Sequence, residues 1–115
     1  MDKLTRYKNL IKQLLQQYVE LESRSPIPNV QVEHLLVADD ERGHYIWLNL
    51  GWWKGERLNS PTIHVRLKDG KIWIEEDWTD IGFADQLLAA GVPKEDIVLA
   101  FHAPEMRQYT EFAAA

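Results

Sequence analysis

The 115-residue sequence predicts an α+β fold: an antiparallel sheet of about four to five strands, a long N-terminal helix, and a second helix after the main hairpin. Three observations predict it. Leu4, Tyr7, Ile11, Leu14, Tyr18 and Leu21 recur at alternating three- and four-residue spacing, the period of one helix face. Asp69-Gly70 separates two alternating apolar runs, and both residues tolerate the positive φ of a two-residue hairpin turn. Between Asp80 and Pro93 stand the signals that start and stop a helix.

In chain order, residues 2 to about 22 read as an amphipathic helix, with Leu10 and Leu15 widening the stripe and Asp2 as its cap. The same spacing is a short heptad seam, but covering the chain's own sheet is the expected use. Ser23 through Asn29 is a loop, since Pro26 and Pro28 among turn-forming polar residues stop both regular structures. Val30 to Val37 and His44 to Trp53 are the first two strands, joined by the acidic turn Asp39-Asp40-Glu41-Arg42-Gly43. In the second, Ile46, Leu48, Leu50 and Trp52 point one way and Tyr45, Trp47, Asn49 and Trp53 the other, so neither side is plainly solvent-like. Lys54-Gly55-Glu56-Arg57 with Asn59-Ser60-Pro61 marks another turn.

Across the Asp69-Gly70 hairpin, Leu67 faces Ile72 and Val65 faces Ile74 on one side, while Arg66 faces Trp73 and His64 faces Glu75 on the other. Asp80 is then the expected cap of the second helix, Ala84, Leu87 and Leu88 its apolar stripe, and Gly91 its left-handed end. Val92 falls where it touches Leu87, and Pro93 prevents the helix from resuming. The continuous apolar run Ile97 to Phe101 reads as an interior strand buried on both faces. Pro104 opens one helical turn, followed by an irregular tail.

Size and composition make residues 1–115 a single domain with a modest core. A hydrophobic content of 45% with five tryptophans argues against disorder. Cysteine is missing, which removes disulfides and thiolate metal sites and suits a reducing compartment. No signal-peptide core or membrane-length apolar run occurs, so a cytoplasmic, non-membrane protein is expected. The net charge of -5 is wrong for unaided duplex binding, which needs a basic face, so direct nucleic-acid binding is doubtful. One basic cluster exists: Lys3, Arg6, Lys8 and Lys12 meet only Asp2 as an acid before Glu20.

Catalytic apparatus is hard to find. His34, His44, His64 and His102 lack the paired spacing of a zinc site. Asp77 and Asp80 resemble a magnesium pair, but a strand-to-helix junction explains both. Asp69 and Lys71 belong to the hairpin turn. The serines lie in loops outside any GxSxG, and neither GxGxxG nor GxxxxGK[ST] occurs. No catalytic, cofactor-binding or metal-binding residue is therefore assigned, and a non-enzyme is expected. What stands out is aromatic supply: Trp47, Trp53 and Trp73 with Tyr45 are expected on the sheet side opposite Leu67 and Ile72, with Arg66 in a cation–π contact with Trp73. The candidate partner-binding residues are thus Lys3, Arg6, Lys8, Lys12, Trp47, Trp53, Arg66 and Trp73. Surplus apolar material also predicts a homodimer.

The run DGKIWI, the DxTD of Asp77 to Asp80, the block GVPKEDIVLAF, and Pro104, Arg107, Tyr109-Thr110 and Phe112-Ala113 resemble the XisI family, the fdxN element excision controlling factors of cyanobacteria. The opening MDKLTRYKNLIKQLLQQY is similar as well, so the resemblance covers essentially the whole chain and is most specific over residues 69–113. It implies an accessory factor in site-specific excision of a DNA element, working with a recombinase and with an XisH-like partner protein. A non-catalytic role through protein contacts is the expectation. The alternatives are a nucleic-acid-binding module using the basic helix and, behind it, a metal-dependent hydrolase using Asp77 and Asp80.

Overall fold

The computed structural model describes residues 2–24 and 31–115. Of the loop expected over Ser23–Asn29, Ser23 is still helical; everything past Arg24, and Val30 of the first expected strand, lies outside the described residues.

Helix α1, Lys3–Ser23, is capped as its sequence requires, with the Thr5 N–H donating to Asp2 Oδ1 at 2.7 Å. Its buried residues are Tyr7, Ile11, Leu15 and Val19, a strict four-residue row. The expected stripe is corrected at both ends: Leu4 is 45% and Leu21 61% exposed. A three-four seam stays in register only when two helices supercoil, whereas a straight helix lying on a sheet presents a four-residue ridge. Val19 belongs to that ridge, and Leu10, Leu14 and Tyr18 flank it half-buried.

Five strands follow: β1 Gln31–Asp39, β2 His44–Trp53, β3 Glu56–Lys68, β4 Lys71–Asp77 and β5 Ile97–Leu99. They lie in chain order in one sheet, antiparallel from β1 to β4, with β5 parallel to β4. The parallel pair arises because helix α2, Phe83–Ala89, crosses between β4 and β5 and returns the chain to the end from which β4 started. The Asp69-Gly70 turn forms as its residues demand, with φ of 53° and 76°, and Leu67↔Ile72, Val65↔Ile74 and Arg66↔Trp73 pair as expected. Beyond them a bulge shifts the register, so His64 pairs with Glu76 rather than Glu75.

A second turn of the same kind was harder to see. Lys54 and Gly55, with φ of 51° and 78°, connect β2 to β3 directly, so Asn59-Ser60-Pro61 is strand and not turn. Pro61 is tolerated in this central strand because the ladder is irregular there, between the Trp47↔Ile63 and Leu48↔Pro61 pairs. Across β1, Gly51 passes so close to Gln31 that a Cβ would sit 1.8 Å from its carbonyl oxygen.

The core joins the α1 ridge to Tyr45, Trp47, Ile63, Val65, Ile72 and Ile74 of the sheet, closed by Phe83, Leu87, Val92 and Ile97. Tyr45 and Trp47 therefore lie on the same side as Ile72, under α1, and not on the opposite side. Helix α2 ends as its glycine requires: Gly91 has φ 95°, and the Val92 N–H donates to the Leu87 carbonyl at 3.0 Å. Strand β5 is shorter than its apolar run, and it is an edge strand. Ile97 and Val98 are buried while Phe101 is half exposed. The tail after the 3₁₀ turn Pro104–Tyr109 is ordered against that edge, the Ala113 N–H donating to the Ile97 carbonyl at 2.9 Å.

The ridge makes a direct prediction. Ile11→Ala, which empties a fully enclosed site, lowers unfolding free energy by about 3 kcal/mol. Leu21→Ala, at the other end of the expected seam, changes it by less than about 0.5 kcal/mol in the same urea titration.

Candidate functional site

The basic residues of α1 are largely engaged within the chain. Lys3 Nζ lies 3.0 Å from Asp96 Oδ2, and Lys12 Nζ lies 2.8 Å from Asp40 Oδ2. Each carboxylate also accepts a hydrogen bond from a tyrosine: the Tyr7 hydroxyl donates to Asp96 at 2.5 Å and the Tyr45 hydroxyl to Asp40 at 2.8 Å. Lys3 and Arg6 additionally flank the Tyr7 ring, at 5.7 and 5.3 Å from its centroid. Lys8 stands half-exposed between these two clamps.

Burial works against the Asp96 carboxylate, but the hydrogen bonds from Tyr7 and Lys3 outweigh it and hold its pKa below the usual value. For Asp40, the Lys12 hydrogen bond is the main cause of the lowering, with Tyr45 next. Tyr45 itself is pushed far up, first by burial and then by the Asp40 carboxylate.

The aromatic candidates divide between the two sides of the sheet. Trp47 is buried under α1 and stacks on Tyr18 at 5.3 Å with 17° between planes. Trp73 is on the other side, covered by Lys68 at 4.8 Å and Arg107 at 5.5 Å, with its indole N–H donating to the Lys68 carbonyl at 3.0 Å. Arg66, the expected cation partner of Trp73, instead pairs with Glu75 at 3.7 Å. Trp53 is exposed near the β2–β3 turn with Lys54 over its ring at 4.7 Å. The eight candidates thus form no single patch.

A cleft of about 520 Å³ joins the candidate Trp47 to residues that the sequence did not group with it. It opens between the C-terminal half of α1, the sheet and residues 78–81, with His34, Trp47, Asn49 and Thr62 in its wall and Trp78, Asp80, Ile81 and Glu22 around it. Trp47 Nε1 donates to His34 Nδ1 at 3.3 Å, and the same nitrogen is 2.7 Å from Asn49 Oδ1. The Asn49 amide nitrogen in turn donates to the Thr62 hydroxyl, so that the indole, imidazole, amide and hydroxyl form one connected row along the cleft wall. The signal was present in the strand alternation: His34 shares its side with Leu36, and Asn49 with Trp47. Beside this cleft, a smaller groove continues over Leu14, Tyr18, Leu21 and Ile81.

The junction at Asp77 has a structural role. Asp77 Oδ1 accepts from the Thr79 N–H and hydroxyl at 2.9 and 2.6 Å, and Oδ2 accepts from the Phe83 N–H at 2.6 Å, capping α2. The expected cap, Asp80, is replaced by Asp77 and Thr79, because Gly82 with φ 91° turns the chain so that these two meet the helix start. Among the described residues no group of three or more His, Cys, Asp or Glu side chains is placed to hold a metal ion. None of their helices is long and apolar enough to cross a membrane.

A helix-backed, mostly antiparallel sheet with an aromatic cleft and clamped surface charges is an α+β domain whose polar side chains mainly shape its own backbone. The XisI protein family model matches residues 1–114, and the chain belongs to that family. Its fold matches a crystal structure of a XisI-like protein from Anabaena variabilis ATCC 29413, with TM-score 0.86 and 43% identity over 97% of this chain and 99% of that one. It also matches the fdxN element excision controlling factor XisI from the same organism, with TM-score 0.83 and 39% identity over 99% and 100% of the two chains. Comparison with curated proteins gives no significant match.

Two predictions follow from the contacts above. Asp77→Ala destabilises the domain by about 2 kcal/mol by freeing the α2 cap, while Asp80→Ala changes it by less than about 0.5 kcal/mol, both read by urea unfolding. Asp40 and Asp96 have folded pKa values below the 3.8 of a free carboxylate, so their contribution is complete above that value and is lost as pH falls through the folded values. The melting temperature should therefore drop as pH falls below 3.8, and less steeply in an Asp40→Asn, Asp96→Asn double variant.

Proposed function

We infer that this chain is a controlling factor in the excision of a DNA element, and that it acts by contact with other proteins, an XisH-like partner and a recombinase, rather than by chemistry of its own. The observation that carries this reading is the likeness over 99% of the chain to a protein named as an fdxN element excision controlling factor. The geometry supports it: Asp77 is committed to the backbone, and Lys3 and Lys12 to acids of the same chain. The face offered to the partner is the cleft with its adjoining groove, where Trp78 is 74% exposed and Ile81 and Leu21 stand beside it. Exposed aromatic and aliphatic side chains at the mouth of a preformed cleft are the usual anchors of protein recognition.

Direct nucleic-acid binding through Lys3, Arg6, Lys8 and Lys12 is the competing reading, and it draws support from Arg6 and Lys8, which make none of the ion pairs of Lys3 and Lys12. Co-purification decides between them. An XisH-like protein is expected to be retained by the tagged chain in high salt, and Trp78→Ala to weaken that binding about tenfold, as a loss of some 1.4 kcal/mol would. Failure of the two proteins to associate, combined with DNA binding that collapses with salt and with neutralised Arg6 and Lys8, would reverse the reading.

A further inference from the structure

The sheet has two sides, and the chain covers them unequally. Helix α1 lies against β1, β2 and β3 on one. On the other, among the described residues, the C-terminal segment covers the β4 end, where Arg107 sits over Trp73. Over β1 and β2 that side carries Leu35 and Val37, then Ile46, Leu48, Leu50 and Trp52, paired as Val37↔Ile46, Leu35↔Leu48 and Gln31↔Trp52. Leu35, Val37 and Trp52 are exposed and the others half-exposed. Seven residues of β2, from 46 to 52, span roughly 20 Å at the usual rise of a strand. A continuous apolar strip of that length on a sheet face is what a second layer covers.

Charge at the edges of the strip says which layer. Glu33 lies on the outer side of β1, whereas Arg57 and Arg66 lie on the outer side of β3, with β2 between them. Arg57 stacks over Trp52 at 5.7 Å, and the Arg66 Nε is buried without a hydrogen-bond partner. We propose that two copies of this chain meet through this face, sheet on sheet, about a two-fold axis running along β2. Such an axis exchanges left and right while turning one sheet over to face the other. It lays β1 of each copy over β3 of its partner, so that Glu33 comes over the end of β3 that carries Arg57. An axis across the strands instead lays β1 on β1 and sets the acids against each other, which like-charge repulsion disfavours. Aligned sheets about 10 Å apart interdigitate their side chains, and the leucines of β2 form the centre of the seam. The pairing is independent of the cleft, which lies on the helix side.

Light scattering on a sizing column tests this. The wild-type chain is expected at twice its own mass, and Leu48→Glu at the single-chain mass with an unchanged far-ultraviolet circular dichroism spectrum. Glu33→Arg and Arg57→Glu, both at exposed positions that leave folding intact, each weaken the dimer about tenfold, and combining them in one chain restores it. A wild-type chain at single mass up to its solubility limit overturns the proposal. So does a dimer indifferent to all these changes, a double variant no tighter than the single ones, or a chain that stays single alone yet captures an XisH-like protein through Leu48.

Discussion

The burial of one helical ridge against one side of the sheet is the contact on which the remaining structure depends. Tyr7, Ile11, Leu15 and Val19 close over Tyr45, Trp47, Val65 and Ile74, and every large side chain that is fully enclosed, apart from Val98, belongs to that cluster. Each such side chain contributes about 1.5–3 kcal/mol by leaving water. The ion pairs beside them, Lys3 with Asp96 and Lys12 with Asp40, stand where solvent screens them and contribute far less. Apolar burial therefore holds α1 down, and the charged clamps fix where along the sheet it rests.

The polar chemistry of the chain follows from that arrangement. The buried tyrosines Tyr7 and Tyr45 need acceptors for their hydroxyls, and Asp96 and Asp40 provide them. A strand that must turn into a helix needs acceptors for its first amides, and Asp77 and Thr79 provide those. Residues that look reactive in isolation are thereby accounted for by local backbone and hydroxyl demands. The cleft at Trp78 and the open strip on β2 answer no such demand among the described residues, and the two proposals above rest on them.

The legible parts of this fold were those governed by neighbours in sequence. The Asp69-Gly70 turn, the Gly91 helix end with Val92 folded back on Leu87, and the Asp2 cap all rest on backbone geometry that a few consecutive residues dictate. The long helix and the antiparallel run of strands were readable for the same reason, since a period of 3.6 or 2 is a local property. The family resemblance was equally a matter of consecutive residues, and the match over residues 1–114 agrees with it.

Other features depended on what lay across the molecule. Which row of α1 is buried was set by the flat sheet beneath it, so Val19 replaced Leu4 and Leu21. Which side of β2 faces inward was undecidable where both sides are apolar, and α1 settled it by covering Tyr45 and Trp47. A bulge moved His64 from Glu75 to Glu76, and an edge position ended β5 early. The cleft drew its wall from β1, β2 and β3 and its rim from α1 and residues 78–81, positions far apart in the chain. Turn and cap preferences are encoded in a few adjacent side chains, whereas a face, a register or a cleft exists only once distant segments have met.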